Sequence, residues 1–181
     1  MGRFFGVIFM VCAILCSVLP ATAQNGFRLM SLDFSNESVL PAWCAMPGAG
    51  GNNISPELHW TNPPDDTASF ALAMIDEHPI ARRWVHWIVI NIPANVTTLE
   101  RGASMKKMPE GVRELINSYG FRGYGGPQPP VGTGVHRYVF TIYALKVPQL
   151  NIPDRLSAGE FERAIGPYVI EKTSIVGFFK R

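Results

Sequence analysis

GGPQPPVGTGVHRYVFTIYALK, residues 125–146, sets a stiff turn directly against a strand. Proline presets φ and glycine admits φ > 0, so a loop built from both keeps one shape without helix or ladder bonds. The residues after it are β-branched and aromatic, the composition of a strand. On that strand His136, Tyr138, Phe140 and Ile142 share one face and Arg137 lies on the other. The turn therefore delivers a histidine and a tyrosine to a defined place, at the polar head of an otherwise apolar face.

The same arrangement occurs twice more upstream. Ser69-Phe70-Ala71-Leu72-Ala73-Met74-Ile75 is apolar throughout, as a strand buried on both faces should be. Its Phe70, Leu72 and Met74 share a face with Asp76. Trp84-Val85-His86-Trp87-Ile88-Val89-Ile90-Asn91-Ile92 reads as another strand, and alternation groups Trp84, His86, Ile88 and Ile90. If the three polar ends meet, they enclose a pocket with a polar mouth and an apolar floor. Taken singly, His86 between aromatic neighbours also suits a packed core, and Asp76 suits a turn cap. His59 reads as structural and His78, before Pro79, as a turn residue.

Shorter elements complete the chain. Phe27–Leu32 reads as a first strand, Trp43–Asn53 as a glycine-rich loop, and Ile54–Trp60 as an approach to a short strand. Ser157-Ala158-Gly159-Glu160 has the form of a capping box, and Phe161, Ala164 and Ile165 follow at helical spacing. Gly166-Pro167 stops that helix, a second short one is expected through Ile170, and Ser174–Phe179 closes as a strand. Helix is expected only at this end. No repeat, heptad or long linker divides the chain, so one mostly-β domain is expected.

Residues 1–23 have a different character. Arg3 is followed by an apolar core from Val7 to Val18 and then Pro20-Ala21-Thr22-Ala23, the anatomy of a secretory signal peptide with cleavage after Ala23. The core is too short for a membrane anchor, which needs about 18 or more apolar residues, so no stable span is expected after cleavage. The mature domain is expected at residues 24–181, secreted or periplasmic. The formal charge of +2 excludes the concentrated basic face of a nucleic-acid binder. Cys12 and Cys16 leave with the leader, so Cys44 has no partner for an intrachain disulfide. It is a buried thiol or a route to an intermolecular bridge. Cysteine-rich zinc sites are excluded by count, and no metal or cofactor is expected.

Several motifs in order resemble the phosphatidylethanolamine-binding proteins, also called Raf kinase inhibitor-like proteins. They are Ile54-Ser55-Pro56-Glu57-Leu58, the strand ending at Asp76, His86-Trp87 with Asn91-Ile92-Pro93, and Asn117-Ser118-Tyr119-Gly120. Gly126-Pro127-Gln128-Pro129-Pro130, His136-Arg137-Tyr138-Val139-Phe140-Thr141 and the ending Val176-Gly177-Phe178-Phe179-Lys180-Arg181 follow. The resemblance implies an all-β fold, a two-sheet β-sandwich with short C-terminal helices and a compact anion pocket near one end. It carries pocket roles onto Asp76, His86, Gly126, Pro127, His136 and Tyr138, with Trp84 as a wall. Asp76-Glu77-His78-Pro79 is shorter than the family's usual acidic motif, which leaves Asp76 and Glu77 as alternatives for the pocket carboxylate.

The function expected from this reading is an exported binding module for phosphate or another small anionic group, such as a phosphorylated head group. The resemblance adds a possible protein partner of kinase or protease type. The alternative is a hydrolase or other enzyme using the same Asp, His and Tyr groups for acid–base chemistry. Against it, the sequence offers no recognisable nucleophile with a base beside it. A third reading is an interaction protein with a vestigial pocket.

Overall fold

The protein is described by a computed structural model covering residues 1–2 and 26–181. The expected signal peptide, apart from its first two residues, lies outside the described residues. The elements in chain order are β1 (Arg28–Met30), β2 (Ser38–Val39), β3 (Leu58–Thr61), β4 (Ser69–Asp76) and β5 (Trp84–Pro93). They continue with β6 (Thr98–Leu99), β7 (Arg113–Glu114), β8 (His136–Leu145), α1 (Ala158–Ile165) and β9 (Val169–Phe179).

Two sheets result. The larger has the order β2-β9-β8-β4-β5-β7 and the smaller the order β1-β3-β6. Among these strands only β2 and β9 pair in parallel, and the other strand pairings are antiparallel. One face of the large sheet packs on the small one through Leu29, Leu58, Trp60, Phe70, Met74 and Phe140. Its other face is covered by α1 through Phe161 and Ile165, which meet Ala71, Ile88 and Tyr143. Both faces are thus closed, which is why β4 is buried at every position and could be written in apolar residues throughout. The expected all-β, two-sheet sandwich with helix near the C-terminus is the observed fold.

Strand β5 departs from simple alternation. Met74 pairs with Trp87 and Ile75 with Val85, so His86 is an extra residue, a β-bulge. A second irregularity lies between the Leu72–Val89 and Phe70–Ile92 pairs, where Asn91 takes φ 61°. In consequence Trp87, Val89 and Ile92 face the small sheet, whereas Val85, Ile88 and Ile90 face the helix side. The sequence grouping of His86 with Ile88 and Ile90 is therefore corrected: the bulge turns those two away. Glu114 holds the shifted segment, accepting from Trp87 Nε1 at 2.7 Å, Ser104 Oγ at 2.5 Å and Met105 N at 2.7 Å.

The C-terminal helix begins where its capping box predicts. Glu160 N donates to Ser157 Oγ at 3.3 Å, and Ser157 N donates to Glu160 Oε2 at 2.8 Å. The expected second helix through Ile170 does not form. Gly166–Tyr168 makes a single 3-10 turn, and β9 starts at Val169, pairing with Leu145. Helical turns are not confined to the end either: 3-10 turns also occur at Ala42–Cys44, Pro47–Ala49 and Pro79–Ala81. Two of those turns start at proline, whose fixed φ suits a first helical position.

Candidate ligand-binding site

The final residue of β4, the first residues of β5 and those of β8 meet at one end of the large sheet. Asp76 is paired with both Trp84 and Tyr138 in the ladder, which puts their side chains on one face. The bulge adds His86 to that face. Together with Tyr119 and the Gln128-to-Pro130 segment they line a cavity of about 380 Å³.

Two histidines occupy it in different states. The carbonyl of Gly125 lies 2.6 Å from His86 Nδ1 and can only accept, so Nδ1 carries the proton and Nε2 of the neutral ring is an acceptor. Burial pushes the His86 pKa down to about 4, opposed in part by the Gly125 carbonyl and the Asp76 charge. His136 is held at both nitrogens instead. Nδ1 is 2.6 Å from Asp76 Oδ2 and Nε2 is 2.8 Å from Thr133 Oγ1.

The Thr133 hydroxyl donates its one proton to Pro130 O at 2.8 Å, so it accepts from His136 Nε2–H. The Asp76 carboxyl faces Nδ1 and fixes the plane of the ring. The other carboxylate oxygen, Oδ1, accepts from His78 N at 2.9 Å. The His78 ring stacks on His136 with centroids 3.9 Å apart and planes 15° apart.

Tyr138 supplies a loose end. Its hydroxyl is buried and has no hydrogen bond of normal geometry among the described residues, with the Asp76 carboxylate as its neighbour. Burial first, and the Asp76 charge second, hold it well above the usual phenol range, so it remains a donor. An orphaned buried hydroxyl costs about 1–3 kcal/mol, a cost that a ligand oxygen would relieve. Tyr119 is committed by contrast, donating to Gly126 O at 3.0 Å. Burial, then the Asp76 charge, pushes its pKa up to about 12.

The remaining sequence candidates divide. Trp84 stands at the rim, 40% exposed, with its ring edge-on to Tyr119 at 5.5 Å. Gly126 and Pro127 do not line the cavity. Gly126 is pressed against the Cys44 carbonyl, where a Cβ would overlap it, and Pro127 O accepts from Met46 N at 3.0 Å. Both stand behind the wall and hold it in place. Glu77 is turned outward, paired with Arg137 at the surface, so Asp76 is the carboxylate in the cavity. Cys44 is fully buried.

His78, Tyr119, Gln128 and Thr133 complete the site without having been singled out for it. Tyr119 lay inside a quoted motif, and Thr133 inside the stiff turn. Among the described residues no group of three His, Cys, Asp or Glu side chains is arranged to hold a metal. Among them, too, no helix is long and apolar enough to cross a membrane.

Comparison with known proteins gives a consistent result. The model of the phosphatidylethanolamine-binding protein family matches residues 30–180. A UPF0098 protein of Aquifex aeolicus is 38% identical over 156 residues, 85% of this chain and 88% of that one. LppC of Mycobacterium tuberculosis, named as a candidate lipoprotein, is 32% identical over 161 residues, 89% of this chain and 76% of that one. The crystal structure of Escherichia coli YbcL, described as a new member of the mammalian family, superposes with a TM-score of 0.79 at 30% identity. It covers 86% of this chain and 98% of that one.

Proposed function

This chain belongs to the phosphatidylethanolamine-binding protein family, and on that footing we propose that it is an exported binding protein whose cavity recognises phosphate or a similar small oxyanion. The unpartnered Tyr138 hydroxyl carries the reading: a buried donor on a residue that lines the cavity is left for a ligand acceptor. Export is supported by the leader pattern at residues 1–23 and by the likeness to a relative named as a candidate lipoprotein. A modulated protein partner remains part of the proposal, with the exposed rim around Trp84 as its place of contact.

Titration with inorganic phosphate, followed through the histidine ring protons by NMR, tests this. His86 and His136 are expected to shift along one saturation curve. Tyr138→Phe should weaken binding about tenfold, the loss of one hydrogen bond to a charged group. Independent responses of the two histidines, or an unchanged affinity in Tyr138→Phe, would refute the assignment.

One observation favours a hydrolase instead. Thr133, His136 and Asp76 form a hydroxyl–imidazole–carboxylate chain, the order of a nucleophile, a base and its orienting group. Two facts weigh against it. The Thr133 proton is directed to Pro130 O rather than to the imidazole, and Thr133 is not among the cavity-lining residues. A screen of phosphate and carboxylate esters is expected to show no turnover above that of Thr133→Val. Saturable turnover lost in that variant would replace binding by catalysis.

A further inference from the structure

Counting protons on the cavity wall gives more than an oxyanion site. An anion is held by N–H and O–H groups, and no lysine or arginine lines this cavity. Most of the other donors are spent. His86 Nδ1–H goes to Gly125 O, Tyr119 O–H to Gly126 O, and the two nitrogens of His136 to Asp76 and Thr133. The Tyr138 hydroxyl, the Trp84 indole N–H and the Gln128 amide, which lies against Gly48, remain. Against them stands one acceptor that no protein donor meets, the lone pair on His86 Nε2; both Asp76 oxygens are already engaged, by His78 N and by His136. A fully ionised dianion would set an anionic oxygen against that lone pair.

The geometry points to a ligand that brings an acidic proton of its own: a singly protonated phosphoryl group, whose P–O–H donates to His86 Nε2 while an ionised oxygen accepts from Tyr138. This rests on reading the cavity as an oxyanion site. The titratable groups facing His86 are Asp76 on β4, His136 and Tyr138 on β8, and Tyr119 on the segment between β7 and β8. None supplies a fixed positive charge. Burial keeps the imidazole neutral down to about pH 4, so above that pH the protein does not furnish the missing proton before the ligand arrives. Sulfate, of the same shape but without a proton to give, is disfavoured by the same lone pair that welcomes phosphate. A site with polar groups built for a ligand hydroxyl discriminates strongly against an analogue lacking it.

Calorimetric titration with inorganic phosphate and with sulfate decides the matter. Near pH 6 phosphate is expected to bind at least tenfold tighter than sulfate. Above the second pKa of inorganic phosphate, roughly one unit higher than the value of about 6 for a phosphomonoester, its affinity should fall toward tenfold per pH unit. At about pH 8, titrations in buffers of different ionisation enthalpy should show close to one proton taken up per phosphate bound. In His86→Asn the amide can still donate to Gly125 O, but the acceptor is withdrawn from the cavity, and the preference for phosphate should shrink several-fold. Sulfate binding as tightly as phosphate, or a phosphate affinity that is flat from about pH 6 to pH 8.5, would overturn the proposal and leave the oxyanion site standing. No saturable binding of either ion at any pH would remove both.

Discussion

Gly126→Ala is expected to destabilise the protein by about 3 kcal/mol and to lower Tm by roughly 6–12 °C. A Cβ at this position would overlap the Cys44 carbonyl oxygen and crowd the Ala45 backbone. Neither is the movable end of a side chain, so the strain passes into the backbone. Gly126 N also donates to Asn53 Oδ1 at 2.7 Å, and its carbonyl accepts from Tyr119. A shift of the glycine therefore displaces a cavity wall as well, and phosphate binding should fall with stability. Gly159→Ala is the matched contrast. Its Cβ would meet nothing within 4 Å, it lies inside α1, and alanine is the better helix former by up to about 1 kcal/mol. Thermal unfolding of both variants should therefore move in opposite directions. Equal small losses in the two would show that the close approach at Gly126 is not a constraint.

The second large effect is on acid stability. His86 is neutral and buried when folded, with its pKa lowered from 6.5 to about 4. In the unfolded chain it takes up a proton as pH falls below 6.5, and in the folded chain it does not until about 4. The unfolded state then binds more protons, so stability declines as pH falls through that window. It is largely restored on returning above 6.5, and the decline levels off below about 4. The span is worth about 3 kcal/mol. Denaturant unfolding at intervals across it should show the slope in the wild type and its loss in His86→Asn. A variant that keeps the full slope would place the acid-sensitive group elsewhere.

What could be read from the sequence was whatever rests on local chemistry. Strands β4 and β8 were legible because period-two patterning and β-branched composition are written residue by residue. The start of α1 was legible because Ser157 and Glu160 satisfy each other's backbone groups. Features that exist only through pairing were not. Strands β2, β6 and β7 have two residues each and no pattern of their own. The start of β9 was misplaced because Ile170, Glu171 and Lys172 are exposed and lack a buried strand's apolar run.

In the site, Asp76, His86, His136 and Tyr138 were legible as polar heads of apolar faces. Tyr119 and Thr133 were not, since they reach the site from loops, whose side-chain directions follow no alternation. The place of Gly126 behind the wall was not legible for the same reason: what it touches is Cys44, roughly 270–300 Å of chain contour away.

The two irregularities in β5 behave like paired frameshifts in a message. The first, at His86, puts the strand out of phase, and the second, at Asn91, restores it, so only the residues between are read in the other frame. Trp84 and Ile92, at the two ends, keep the phase they would have had in a regular ladder. Removing His86 from the strand would still leave Val85 opposite Ile75 and Trp87 opposite Met74. The imidazole thus sits on a residue that the ladder does not require. Scaffold and site are separable at that point, and a ligand preference can be rewritten there without asking the sheet to find a new partner.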